Sequence, residues 1–192
     1  MSYDFSLYIH YPFCLSKCPY CDFNSHINQQ IDVQEWLDAY HNALRYHKDN
    51  FNLGTIKTIF FGGGTPSLMP ITLVANILEY AEKLFGFNDT IEITLEANPT
   101  SSEAQKFSDF HHAGINRLSM GIQALNDTDL RKLGRTHTAT EAIKAFEIAK
   151  KYFTKTSFDL IYARQEQTLQ AWQQELTQAA SLSINHISLY QL

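Results

Sequence analysis

The sequence predicts an α/β protein built on a parallel sheet, and two patterns support this prediction. Six short runs rich in β-branched and aromatic residues alternate with longer segments of helical period, which is typical of repeated βα units. Most of these runs are apolar enough to be buried on both faces, as parallel strands usually are. Right-handed crossovers then leave two architectures, an open doubly wound sheet or a full or partial barrel. The predicted strands are Phe5–Tyr11, Ile56–Phe61, Ile91–Glu96, Asn116–Gly121, Ser157–Tyr162 and His186–Gln191.

A helix is predicted in each of the five intervals between the strands. Three of these helices start with a capping residue followed three positions later by glutamate, as in a capping box. Apolar residues then recur every three or four positions along one face. The first predicted helix begins at Asp32, and the second carries Leu73, Ile77, Ala81 and Leu84 on one face and ends at Gly86. The third runs from Thr100 to Gly114, the fourth begins at Thr138, and the fifth runs from near Thr168 to about Ala180.

The composition describes a compact folded protein. The 192 residues are 44% hydrophobic and 18% charged, with a formal net charge of -5, which predicts one domain or at most two. An acidic balance without a basic run argues against a nucleic-acid partner. We find no apolar stretch long enough for a membrane-spanning helix and no signal-peptide pattern, so a cytoplasmic protein is expected. The chain stops at ISLYQL, in or just after a strand, which we interpret as a truncation.

The three cysteines of the chain lie together after the first predicted strand. Cys14, Cys18 and Cys21 have the spacing CxxxCxxC, and Pro12 and Pro19 favour extended or turn geometry around them. The cysteine count is odd, so a disulfide framework is not indicated. Soft thiolates on one loop favour an iron-sulfur cubane with one iron free of protein ligands.

Two other interpretations of the cysteines remain open. The three thiols could be unrelated buried side chains, although the segment is turn-like rather than apolar. A zinc site is the second alternative, with His10 or His26 as a fourth ligand, although structural zinc sites normally show paired CxxC knuckles.

Two more features lie at predicted strand ends, where loops of parallel sheets carry chemistry. Gly62, Gly63 and Gly64 follow the second strand and would let the backbone approach a ligand closely. A lone glycine triplet would favour a tight strand-to-helix turn, but its position after a strand, together with the cysteine loop, favours the ligand contact. Glu96 closes the third strand within an apolar run. A carboxylate there is costly to bury unless it is paired or bound to a ligand, and a structural salt bridge is the alternative.

The CxxxCxxC loop resembles the cluster motif of radical S-adenosylmethionine (SAM) enzymes. The string LYIHYPFCLSKCPYCDFNSH is similar to the oxygen-independent coproporphyrinogen III oxidase group, and most closely to its HemW branch of heme chaperones. FFGGGTPSL, LEANP, LSMGIQALND and FDLIYA extend the resemblance over essentially the whole chain. The resemblance implies a (βα)6 partial TIM barrel. Residues 1–192 would form the radical SAM core domain, without the C-terminal domain of the family.

The resemblance also implies the cofactors and their ligands. Cys14, Cys18 and Cys21 would hold a [4Fe-4S] cluster whose open iron is chelated by the methionine end of SAM. An electron entering the cluster would cleave the S–C5′ bond and give a 5′-deoxyadenosyl radical. The implied SAM contacts are Gly63, Gly64 and Thr65 to the methionine ammonium and carboxylate, Arg135 to the carboxylate, Gln123 and Asp159 to the ribose hydroxyls, Ile161 to the adenine, and Glu96, Tyr8 and Tyr20 elsewhere on the cofactor.

Two functions within the group compete. The oxidases carry an extended N-terminal segment and a further cysteine just after the third ligand, whereas here the first strand begins at Phe5 and Asp22 and Phe23 follow Cys21. The resemblance therefore favours a heme chaperone, which binds heme and passes it to an acceptor hemoprotein, over a coproporphyrinogen oxidase or another porphyrin-modifying enzyme. It implies an electron donor such as a flavodoxin-type protein and is compatible with a homodimer. A metal-binding or redox module without radical chemistry is a third candidate.

Overall fold

A computed structural model of the protein describes residues 2–28, 30–182 and 186–192. Its centre is a six-stranded parallel sheet that curls into a half-barrel. Two further strands, β2 (Phe13–Cys14) and β3 (His26–Ile27), form a short parallel pair within the cysteine loop. The strands of the main sheet are β1 (Tyr3–Tyr11), β4 (Leu53–Gly63), β5 (Phe87–Ala97), β6 (Arg117–Gln123), β7 (Lys155–Tyr162) and β8 (His186–Gln191).

The order of the strands distinguishes the two architectures that the sequence left open. The sheet order is β1-β4-β5-β6-β7-β8, so every crossover moves in the same direction along the sheet. A doubly wound sheet would instead reverse its direction at a switch point. The partial barrel is therefore confirmed, and all six predicted strands are present with ends that differ from the predicted ones by at most four residues.

Helices follow the strands of the main sheet, and most of them begin and end as predicted. Asp32 caps the first helix by accepting hydrogen bonds from the backbone N–H groups of Gln34 and Glu35, both at 3.0 Å. Thr138 and Glu141 form a reciprocal capping box. The helices are α1 (Val33–Asn50), α2 (Ile71–Phe85), α3 (Ser101–Ala104), α4 (Phe107–His112), α5 (Asp127–Lys132), α6 (Ala139–Tyr152) and α7 (Leu169–Ser181), with a 3-10 turn at Pro66–Leu68.

Two helical regions differ from the prediction. The single helix expected from Thr100 to Gly114 is two helices, α3 and α4, and the break lets Glu103 turn inward to polar partners while Phe107 and Phe110 enter the apolar core. The sequence analysis did not predict α5. That helix is six residues long and buries one apolar side chain, Leu130, which is too little for a periodic signal.

The two faces of the sheet have different chemistry. Ile9, Ile59 and Phe61 belong to the apolar core shared with the helices, where they are at most 4% exposed. The concave face is polar at its centre: the Arg117 guanidinium donates to the Thr94 hydroxyl (3.2 Å) and the Ser157 hydroxyl (3.0 Å), and the latter donates to Ser119 (3.1 Å). Polar groups are thus available inside the half-barrel, where a polar ligand could use them.

A buried ion pair joins α7 to the ends of β6 and β7. Arg164 is 6% exposed, and its Nη2 lies 2.5 Å from Glu175 Oε2 and 2.9 Å from Asp129 Oδ2. Its Nη1 donates to the carbonyls of Ile161 (2.6 Å) and Gln123 (3.3 Å). The guanidinium therefore fixes the backbone at the carboxyl ends of two strands that carry predicted site residues.

Replacing Glu175 with alanine should lower the free energy of unfolding by about 3–5 kcal/mol, because it leaves a buried guanidinium short of a counter-charge. It also removes the acceptor of the Leu125 N–H. Urea denaturation measures the change. The matched control is Lys132→Ala, which breaks an exposed ion pair with Glu166 and should change stability little. Equal effects of the two substitutions would contradict the structural importance of the buried pair.

Candidate functional site

A cavity opens where the carboxyl ends of the main strands meet the cysteine loop. It encloses about 1000 Å³, counting the space open to solvent. Such a cavity is large enough for a cofactor of drug-like size. Eleven of the predicted site residues line it, namely Cys14, Cys18, Tyr20, Cys21, Gly63, Gly64, Thr65, Glu96, Gln123, Arg135 and Asp159.

The other two predicted contacts do not line this cavity. Tyr8 lies on the concave face of β1, stacked on Phe60 with ring centroids 6.0 Å apart, and its side chain is largely exposed. Ile161 is 4% exposed and packs with Leu130 and Leu133 in a small apolar cluster that Tyr20 covers. The SAM contacts assigned to Tyr8 and Ile161 stay predictions.

The glycine turn after β4 holds the start of the cysteine loop through the backbone. Gly64 N–H donates to the Tyr11 carbonyl (2.7 Å), and Thr65 N–H donates to the Phe13 carbonyl (2.9 Å). A Cβ on Gly64 would lie 2.7 Å from the Phe13 oxygen, and a Cβ on Gly63 would lie 2.6 Å from the His10 ring. Gly63 also has φ +115°, which disfavours other residues. Glycine is therefore required here for the close approach of two segments.

The far end of the cysteine loop is held by two other contacts. The Lys17 ammonium donates to the carbonyls of Phe23 and Ser25, both at 3.3 Å, and so joins the segment between the first two cysteines to residues that follow the last one. On the opposite side, Gly134 has φ +69° and faces Pro19 so closely that a Cβ would lie 2.6 Å from the proline ring. Sequence reasoning assigned no role to Lys17, although its place between the first two cysteines is a signal that could have found it.

Two of the three cysteine sulfurs receive hydrogen bonds from predicted site residues. Thr65 Oγ1 donates to Cys14 Sγ, and Arg135 Nη1 donates to Cys18 Sγ, both at 3.4 Å. Among the described residues, no three His, Cys, Asp or Glu side chains converge as they would around a single metal ion. Three thiols on one loop at the mouth of a polar cavity are a suitable donor set for an iron-sulfur cluster.

Buried polar atoms without partners point into the same cavity. Gln123 Oε1, Asp159 Oδ1 and Arg135 Nε are buried and have no hydrogen-bond partner among the described residues. Each such atom costs about 1–3 kcal/mol unless a ligand or water satisfies it. Gln123 also has φ +72°, a strained conformation held by the contact of its carbonyl with Arg164. The residues present therefore fit a polar cofactor that offers hydroxyl, amine and carboxylate groups.

Two carboxyl groups of the cavity have raised pKa values. Burial raises the pKa of Glu96 to about 7, and repulsion from Asp159 adds to this, while a hydrogen bond from the Gly63 N–H opposes it. Burial likewise raises the pKa of Asp159 to about 6, against the opposing influence of Ser188 and Arg117. Near neutral pH, a carboxyl group at position 96 can therefore donate as well as accept a hydrogen bond.

Sequence reasoning also missed Glu103 and Asn98, two polar residues that line the cavity. Glu103, which the sequence suggested only as part of a helix start, is 2% exposed and accepts hydrogen bonds from the Asn98 N–H (2.9 Å) and the Ser67 hydroxyl. Burial raises the pKa of Glu103, and these hydrogen bonds oppose the rise. Asn98, in the LEANP motif, also lines the cavity. Only the position of Asn98 directly after a strand could have indicated it.

Comparison with known families identifies this arrangement. The Radical SAM superfamily profile matches residues 8–177, which include the cysteine loop and the cavity. The chain belongs to the radical SAM superfamily. Membership of this superfamily implies binding of a [4Fe-4S] cluster and SAM.

Relatives of known identity share the sequence and the fold. The heme chaperone HemW of Haemophilus influenzae is 46% identical over 97% of this chain and 50% of its own length. HemW of Escherichia coli is 38% identical with the same coverage. The structure of the Escherichia coli radical SAM enzyme coproporphyrinogen III oxidase (HemN) matches with a TM-score of 0.86 and 27% identity, over 99% of this chain and 44% of that one. The chain thus spans about half the length of the curated relatives it matches.

Within the described ranges, no helix is both long and apolar enough to cross a bilayer.

Glu96→Gln should change how the stability of the ligand-free domain depends on pH. Because the folded-state pKa of about 7 exceeds the usual 4.5, the folded protein binds more protons than the unfolded chain between these values, and stability falls as the pH rises through this window. The substitution should remove much of this fall and raise the free energy of unfolding by about 1–3 kcal/mol at pH 8. Urea denaturation at several pH values tests it, with the exposed Glu79→Gln as control. Coincident pH profiles of Glu96→Gln and the parent would contradict the burial argument.

Proposed function

We propose that the protein is a heme chaperone that holds a [4Fe-4S] cluster and SAM in the described cavity and passes heme to acceptor hemoproteins. The observation that carries the proposal is the 46% identity to the Haemophilus influenzae heme chaperone, which extends over 97% of this chain. The cavity supports it, because cysteine thiols and unpartnered polar atoms line the same space.

The cysteine loop would hold the cluster. Cys14, Cys18 and Cys21 supply three thiolates, and the hydrogen bonds from Thr65 and Arg135 to two of the sulfurs would offset their negative charge. When bound, the reduced cluster supplies one electron to the sulfonium of SAM. A flavodoxin-type electron donor would approach the exposed Leu15 and Phe23, which flank the cysteines.

The remaining cavity residues would orient SAM. The backbone of Gly63 and Gly64 and the Thr65 hydroxyl border the position proposed for the methionine end, next to the cysteine sulfurs. Arg135 has a guanidinium N–H left over for a carboxylate, because its Nε is unpartnered. The free oxygens of Gln123 and Asp159 would accept hydrogen bonds from the ribose hydroxyls.

Radical decarboxylation of coproporphyrinogen III is the second candidate function. The structural similarity to the Escherichia coli coproporphyrinogen III oxidase, with a TM-score of 0.86, supports it. The residues after the third cysteine argue against the decarboxylation. Asp22 and Phe23 stand here, where the resemblance implies a further cysteine in the oxidases.

Cys14→Ala, Cys18→Ala and Cys21→Ala should each abolish the cluster, since a cubane held by only three protein ligands requires all of them. Iron and labile sulfide are measured after anaerobic reconstitution, and the parent should contain about four of each per chain. Ser16→Ala, in the same loop, is the matched control and should keep its iron. An intact cubane in any cysteine variant would show that the ligands are misassigned, and one zinc per parent chain would contradict the family assignment.

The heme chaperone proposal is tested with the reconstituted protein and two substrates. With heme, we expect stable binding and then transfer to an apo-hemoprotein. The absorption spectrum of the acceptor measures this transfer. With coproporphyrinogen III and SAM, we expect no decarboxylation. Decarboxylated product would contradict the chaperone assignment and favour the oxidase, whereas failure of both assays would contradict both.

A further inference from the structure

One side chain connects the two residues that donate to the cysteine sulfurs. Asn98 follows directly on β5, and its Nδ2 donates to Thr65 Oγ1 at 3.3 Å. On its other side, Asn98 Oδ1 accepts from Arg135 Nη2 at 2.6 Å. Thr65 in turn donates to Cys14 Sγ and Arg135 donates to Cys18 Sγ. The amide therefore lies at the centre of a chain of hydrogen bonds that runs from one cysteine to another.

The chemistry of these groups fixes the direction of every bond in the chain. A guanidinium can only donate, so the amide oxygen of Asn98 must face Arg135 and its NH₂ group must face Thr65. Because the Thr65 oxygen accepts from Asn98, its single hydroxyl hydrogen is left for Cys14. An asparagine is needed at this position, since aspartate cannot donate to Thr65 and leucine can do neither.

The backbone of Asn98 is itself held in place by a hydrogen bond. Asn98 N–H donates to Oε2 of the buried Glu103, at 2.9 Å, and the Ser67 hydroxyl donates to the same oxygen. The Arg135 guanidinium is held by a second bond, from Nη2 to the Gly121 carbonyl at 3.0 Å. The amide thus contacts two groups that are already positioned, which makes it a connector rather than a cofactor ligand.

We propose that Asn98 is a positioning residue that directs hydrogen bonds from Thr65 and Arg135 onto two cysteine sulfurs and thereby raises the reduction potential of the cluster. The inference rests on the cluster assigned under the proposed function. Hydrogen bonds to the sulfur atoms favour the reduced, more negative cluster, so their loss makes reduction harder. No contact between Asn98 and SAM is required.

The test measures the midpoint potential of the reconstituted protein without SAM, by redox titration followed by electron paramagnetic resonance. Asn98→Leu, which is close to asparagine in size, should keep about four irons per chain and shift the potential to a more negative value. Thr65→Val should shift it in the same direction. The double variant should shift it by less than the sum of the two, because both substitutions break one connected chain.

Controls separate this inference from the proposed function and from general damage. Asn76→Leu, on the exposed face of α2, should leave the potential at the parent value. Asn98→Ala repeats the test with a smaller side chain, in case leucine disturbs the packing. A parent that forms no cluster would overturn the proposed function. A parent potential in an iron-loaded Asn98 variant, or strictly additive shifts, would overturn this inference alone. Loss of iron from both Asn98 variants would overturn it as well, since the amide would then be needed for cluster assembly.

Discussion

The close approach of the Gly63–Gly64 turn to the Tyr11–Phe13 segment is the constraint on which the rest of the site depends. Two backbone hydrogen bonds, from Gly64 to Tyr11 and from Thr65 to Phe13, join the end of β4 to the chain that enters the cysteine loop. They can form because neither glycine carries a Cβ. The same contact brings the Thr65 hydroxyl to Cys14. Packing and backbone hydrogen bonds thus place the start of the loop.

A second support acts on the opposite wall of the cavity. The buried Arg164 holds the carbonyl of Gln123, and its counter-charges are Asp129 on α5 and Glu175 on α7. The strained backbone of Gln123 is therefore maintained by an ion pair outside the cavity. This arrangement leaves the side-chain oxygen of Gln123 without a partner in the cavity, which is the condition for recognising a ligand.

The sequence was sufficient wherever a signal was local. Strands and helix starts were predicted because apolar period and capping residues such as Asp32 and Thr138 act within a few positions. The cysteine and glycine motifs were recognised for the same reason. Asn98 was missed because its partners Thr65 and Arg135 lie 33 and 37 residues away, so its role exists only after folding. The position of Ile161 behind Tyr20, rather than on the cavity wall, is likewise decided by packing between distant segments.

A half-barrel, unlike a closed barrel, has two outer strands, which here are β1 and β8. On β1, Asp4 forms an ion pair with Lys57, which places charge at that edge. On β8, which pairs with β7, the side chains of Leu189 and Tyr190 are exposed, and so is Leu192 just beyond it. An apolar outer strand is a template for pairing with another strand. The described part of the half-barrel thus exposes apolar side chains along β8, the strand at one side of its sheet.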